Sequence, residues 1–176
     1  MLGLLGHLGY VPLGGGKAKQ LSLLKGGIPP APGYATRRGD LRVVGSYHND
    51  CGGCDGIKTQ DEVCRRVLEY AKASQHVLFE GVIVGTIVGR YLNLSTQIEK
   101  LTGERMVWAF MDTPYELCLE RVNRRNNGKA IKEGLMRSKY DLMVRMASKV
   151  GQEGERVEFV PHRQAVARLL DLMRLE

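Results

Sequence analysis

His76-Val77-Leu78-Phe79-Glu80-Gly81 and Met106-Val107-Trp108-Ala109-Phe110-Met111-Asp112 are two short apolar runs, each closed by a carboxylate. Neither run shows the polar alternation of a half-solvated strand, which predicts strands buried on both faces, as parallel sheets require. An acid at the carboxyl end of such a strand lies where open α/β sheets hold their ligands. Thr113-Pro114-Tyr115-Glu116 follows the second run, and Arg121, Arg124 and Arg125 come about two helical turns later. A cationic cluster is therefore expected near the same sheet edge as the acids. Carboxylates suit a metal and guanidinium groups suit phosphate, so the pairing points to phosphoryl-transfer chemistry.

The chain has 176 residues, enough for one well-buried α/β domain and short for two ordinary ones. A formal charge of +7 and a pI near 9.4 favour a polyanionic partner, because a basic surface steers and holds phosphates. A merely solvated basic surface gives the same numbers. Four cysteines without a secretory leader argue for a reducing, cytoplasmic setting rather than a disulfide framework. The opening Met1-Leu2-Gly3-Leu4-Leu5-Gly6 lacks a basic flank and is cut by glycine. It fits neither a signal peptide nor a membrane span, so no membrane association is expected.

Residues 1–40 differ from the rest. Glycine is concentrated there with Pro12, Pro29, Pro30 and Pro32, and the first acid is Asp40, so periodicity gives little guidance. From residue 41 the pattern alternates: a strand from Leu41 to Tyr47, a Gly/Cys/Asp loop, and a helix from Gln60 to Ser74. His76 to Glu80 forms the next strand, Thr86 to Leu101 a mostly helical segment, and a further strand ends at Met111. Thr113 as N-cap, Pro114 at the first helical position and Glu116 make a capping box for the arginine-bearing helix, and Thr59 with Glu62 repeats that spacing. Asn126-Asn127-Gly128-Lys129 breaks that helix. Leu135, Leu142, Met143, Met146 and Val150 then mark another. Arg156 to Val160 is a last strand, and Pro161 to Leu175 a closing helix with a stripe of Val166, Leu169, Leu170 and Met173. Strands alternating with helices predict a parallel sheet covered on both faces.

Phosphoryl transfer requires a cradle of N–H groups, a lysine near the β/γ oxygens, a held Mg²⁺ and cations on the developing charge. Gly14-Gly15-Gly16-Lys17-Ala18 is the candidate cradle. A full G-x-x-x-x-G-K-[ST] loop needs glycine at Val11 and a hydroxyl at Ala18, and this chain has neither. A glycine-rich linker is the competing reading. Glu80, followed by Gly81, stands where a metal-organising carboxylate or a general base belongs, or where an acid caps the next helix. Asp112 holds an equivalent place, with helix entry as its alternative. Arg121, Arg124 and Arg125 precede a break suited to a mobile lid, although a solvated helix face has the same pattern. In Asn49-Asp50-Cys51-Gly52-Gly53-Cys54-Asp55-Gly56 the single CxxC is a weak zinc signal, since a structural site wants four ligands. Asp50 or Asp55 can deprotonate an acceptor hydroxyl, or simply satisfy the backbone of its own turn.

The stretches "LRVVGSYHNDCGGCDGIKTQDEV", "HVLFEGVIVGTIVGRY" and "MDTPYELCLERVNRRN" together resemble the P-loop kinases of bacteriophages that phosphorylate 5-hydroxymethyluracil in DNA. The CGGCD loop followed by the EG strand is the more specific part; DTP-x-E-x-C-x-x-R is shared more widely among P-loop kinases. The resemblance implies a three-layer α/β sandwich with a central parallel sheet and a helical lid, residues 41–176 forming that domain behind a start of residues 1–40 with a degenerate phosphate loop. It implies ATP and Mg²⁺, and a γ-phosphoryl group passed to a hydroxymethyl oxygen on a base in phage DNA, within the bacterial host cytoplasm. By position, Glu80 takes the metal or base role, Arg121, Arg124 and Arg125 the lid, and Asp55, Lys58 and Arg90 the acceptor side. Where such kinases carry a GSGKS-like loop, this chain has GGGKA. A nucleoside or nucleotide kinase, and a non-catalytic kinase-like DNA-binding protein, are the alternatives.

Overall fold

A computed structural model describes residues 4, 8–13, 33–47, 53–81, 87–126 and 131–175. The chain divides into two compact units, Met1–Glu104 and Arg105–Glu176.

The first unit holds a four-stranded sheet in the order β1 (Tyr10–Leu13), β2 (Gly33–Thr36), β3 (Leu41–Val44), β4 (His76–Leu78). β3 and β4 run parallel, with Leu41 opposite His76 and Val43 opposite Leu78. The first two strands run antiparallel to their neighbours, so the sheet is mixed where an all-parallel one was expected. The cause is local. Only a tight turn joins β2 to β3, its Gly39 N–H donating to the Thr36 carbonyl at 3.0 Å, and a connection that short permits only an antiparallel return. The Thr36 side chain binds Asp40 and accepts from the Leu41 amide.

Helix α1 (Gln60–Ala71) links β3 to β4. Thr59 caps it by accepting from the Glu62 amide at 3.2 Å, as its spacing predicts. Val63, Val67 and Tyr70 are buried, and their spacing puts them on one stripe. Fully burying a valine of this kind contributes about 1.5–3 kcal/mol. α1 packs on β3, β4 and α2 (Val88–Thr102). Tyr91 of α2 is buried, stacks on Phe79 at 5.9 Å and binds Gln60 through its hydroxyl.

His76 opens β4 with its amide bound to the Asp40 carbonyl at 2.8 Å. Its Nε2 is buried without a hydrogen-bond partner among the described residues. Burial lowers its pKa below 6.5, against the opposing pull of Asp40 and Glu104. The unfolded chain therefore takes up this proton more readily, and the associated stability is present above the unfolded value and lost as pH falls through it. The melting temperature is expected to drop between about pH 7 and pH 5. The drop is smaller in His76→Asn, as thermal melts across that range will show.

The second unit pairs β5 (Val107–Asp112) with β6 (Arg156–Pro161) in parallel over their full length, from Val107 opposite Arg156 to Asp112 opposite Pro161. Between them come α3 (Tyr115–Arg125) and α4 (Glu133–Gln152), and α5 (Ala165–Met173) follows. The Glu155 carboxylate is buried and accepts from Trp108 Nε1 at 3.1 Å, with Arg105 at 3.5 Å. Trp108 is buried, but Val107, Ala109 and Met111 are exposed, so β5 is not the doubly buried strand its composition predicts. A two-stranded sheet packed by α4 has one face to cover it. The Thr113 capping box is also absent. Pro114 has an extended ψ of 143°, the helix starts at Tyr115, and no side chain caps it. The Thr113 carbonyl instead accepts from the Tyr140 hydroxyl at 3.2 Å.

Candidate active site

The strand predicted to reach Tyr47 stops at Val44 because Gly45 turns the backbone to φ +99°. Such a conformation is freely open only to glycine. Beyond it, Ser46 bridges Gly53, whose N–H donates to the Ser46 carbonyl at 2.9 Å. The next amide, of Cys54, donates to the Glu80 carbonyl at 2.9 Å. Gly53 and Cys54 thus stitch the chain leaving β3 to the chain leaving β4. Space is tight at the stitch. A Cβ on Gly45 would fall 2.3 Å from the Gly53 carbonyl oxygen, and one on Gly53 would fall 2.8 Å from that of Glu80.

The stitch fixes the backbone of Glu80 while its side chain stays exposed. Asp55 is exposed in the single 3₁₀ turn Cys54–Gly56 that follows. Burial pushes the Cys54 thiol up to about 12, so it packs as a small apolar group rather than acting as a nucleophile. Cys54, Cys64 and Cys118 are free thiols. Among the described residues no group of three or more His, Cys, Asp or Glu is placed to hold a metal ion. A single carboxylate at Glu80 still suits Mg²⁺, which is commonly bound by one or two carboxylates together with substrate phosphates.

A cleft of about 280 Å³ opens at the carboxyl end of β3, with Gly45, Ser46, Ile57, Lys58, Glu62 and Arg66 among its walls. Arg65 and Arg66 bind the Glu62 carboxylate at 2.7 and 2.6 Å and hold its carboxyl at about 2, well below the ordinary range. Lys58 contributes an exposed ammonium group. The Gly45 wall backs directly on Gly53, which in turn touches Glu80. The cleft and the strand-end carboxylate therefore share one glycine-built seam.

Of the residues expected at a site, Glu80, Asp55 and Lys58 sit on or beside this seam. Arg90, in the first turn of α2, is ion-paired with Asp61 at the start of α1. Arg121, Arg124 and Arg125 lie exposed on α3 of the second unit, at a spacing that gives them one helix face; Arg124 pairs with Glu120. Asp112 is exposed at the end of β5, and its carbonyl lies 3.2 Å from His162 Nδ1. Gly14, Gly15, Gly16, Lys17, Asp50 and Cys51 lie outside the described residues. Sequence reasoning did not single out Gly45, Glu62 and Arg66, which line the cleft. A glycine directly after the Leu41–Val44 run, and an acid three and four residues before two arginines, were the available signals.

A parallel β3–α1–β4 unit with a carboxylate and a cation-lined cleft at its strand ends defines a mixed α/β protein with a candidate site where open α/β sheets hold their ligands. The chain belongs to the 5-hmdU DNA kinase family, which it matches over residues 40–162. It is 42% identical over 125 residues to a 5-hmdU DNA kinase of Pseudomonas phage M6, covering 66% of this chain and 64% of the relative. It is 36% identical over 98 residues to a 5-hmdU DNA kinase of Pseudomonas phage PaMx11, covering 53% and 49%. To 5-hmdU DNA kinase 1 of Salmonella phage ViI it is 41% identical over 110 residues, covering 58% and 46%. The chain thus spans between about half and two thirds of the length of these relatives. No solved structure matches it. Among the described residues no helix is long and apolar enough to cross a membrane.

Proposed function

We propose that this chain is an ATP-dependent kinase that transfers the γ-phosphoryl group to the hydroxymethyl oxygen of 5-hydroxymethyluracil in phage DNA, in the host cytoplasm. Family membership supports the reaction class. The observation that carries the residue assignment is the seam at which Glu80, tethered through Cys54, adjoins the cleft lined by Lys58. As architecture we propose the P-loop kinase sandwich, with residues 1–40 bringing the phosphate loop and 41–176 the kinase-like domain.

In this reading the hydroxymethyl oxygen attacks the γ-phosphorus in line and its proton passes to Glu80 or Asp55. The new O–P bond forms as the bond to the β–γ bridging oxygen breaks, and ADP leaves. Glu80 is also the residue that would hold Mg²⁺, whose chemistry is to neutralise phosphate charge. Lys17, with Gly14, Gly15 and Gly16, serves the β/γ oxygens, and Arg121, Arg124 and Arg125 counter the charge that spreads over the transferring group. Asp50, Lys58 and Arg90 serve the acceptor. Lys58 meets its phosphate, and an extruded base suits the size of the cleft.

The test is transfer of label from γ-labelled ATP, with hydroxymethyluracil DNA, thymine DNA and free nucleotides as parallel acceptors. Label is expected on the hydroxymethyluracil polymer alone. Label on mononucleotides would make the chain a nucleotide kinase. Salt-dependent DNA binding without transfer would make it a binding protein.

A further inference from the structure

We propose that Tyr47 is a positioning residue for Glu80, its buried hydroxyl holding the carboxylate in the orientation the acceptor needs. The inference rests on the assignment of Glu80 to the kinase reaction and adds a residue to it.

Tyr47 is only 4% exposed, and its hydroxyl has no hydrogen-bond partner at ordinary distance among the described residues. A buried hydroxyl left in that state is costly, so a compensating use is expected of it. Gly53 supplies the place. The point a Cβ would occupy on Gly53 lies 3.0 Å from Glu80 Cγ and 3.4 Å from the Tyr47 hydroxyl. Because glycine leaves that point empty, the carboxylate arm and the phenol share one small space. The phenol is the rigid member of the pair. Its backbone N–H donates to the Tyr34 hydroxyl at 3.3 Å, and the two rings lie 6.0 Å apart. Glu80 is tethered by its carbonyl and is otherwise exposed. A phenol O–H can donate to a carboxylate oxygen, which only accepts. A rotation about the Glu80 side-chain bonds completes that hydrogen bond, and a fixed donor then selects one orientation of the carboxylate, as preorganised sites require.

Tyr47→Phe keeps the ring and removes only the hydroxyl. Melting temperatures of the wild type, Tyr47→Phe, Glu80→Ala and the double variant form one cycle; kcat and KM for hydroxymethyluracil DNA form a second reading. The melting shifts are expected to be non-additive by about 2–4 °C. For Tyr47→Phe, kcat is expected to fall about tenfold with KM unchanged, the mark of an interaction made in the transition state. Additive melting shifts, or a Tyr47→Phe enzyme with wild-type kcat, would overturn the inference. Full turnover in Glu80→Ala would instead remove Glu80 from the reaction, and the inference with it, whatever the melts show. The melting cycle reads the contact even in a protein that transfers no phosphate, where additivity again overturns it.

Discussion

Glu80→Gln is expected to lower label transfer to hydroxymethyluracil DNA by about 10²–10⁴-fold, the range attached to a positioned proton acceptor or its equivalent. Glutamine keeps the shape of the side chain and removes the charge that a proton or a Mg²⁺ needs. Glu80 is held through its carbonyl, by the Cys54 amide, and its side chain is exposed. The fold therefore survives the change, and the melting temperature stays within about 2 °C of wild type. Steady-state kinetics and a thermal melt on the same preparation check both halves. Undiminished transfer would move the chemistry to another carboxylate, with Asp55 the first to examine.

Gly45→Ala is expected to be the most damaging small substitution in the first unit. At φ +99° an alanine is strained in any surroundings. Its methyl carbon would also stand 2.3 Å from the Gly53 carbonyl oxygen and 2.4 Å from the carbonyl carbon. Both atoms belong to backbone, so no side-chain rotation relieves the clash. Strain and clash together cost about 3 kcal/mol or more, which for a chain of this size lowers the melting temperature by roughly 8 °C. Pushing Gly53 away also strains the adjoining Cys54–Glu80 hydrogen bond, so activity falls even below the melt. Far-UV circular dichroism on heating measures the first effect. A variant melting within 2 °C of wild type would show, by the same conversion, that the stitch yields readily.

Much of this was legible in the residues because it is local. Thr59 three residues before Glu62 announced the cap of α1. The strands predicted from His76 to Glu80 and up to Met111 form, as His76–Leu78 and Val107–Asp112. What escaped depends on distant partners. Thr113 and Pro114 carry every local sign of a helix start, yet the Thr113 carbonyl is bound by Tyr140 on another helix and the cap does not form. β1 and β2 lie in glycine- and proline-rich sequence whose composition hides a four-residue pairing. The seam joining Gly45, Gly53 and Glu80 links three separate stretches of chain, and no window along the sequence contains all of them. The family resemblance pointed to Glu80, but the reason it can be held, a glycine with no side chain in the way, emerges only from the packing.

The union of β5 with β6 carries a kinetic corollary. Val107 meets Arg156 only after two intervening helices have been laid down. No hairpin can seed such a pairing, so the entropy of closing a long segment is spent before any contact between the two strands repays it. In a nascent chain β5 must consequently wait until translation has passed Pro161, with Trp108 and Phe110 open to solvent or chaperones in the meantime.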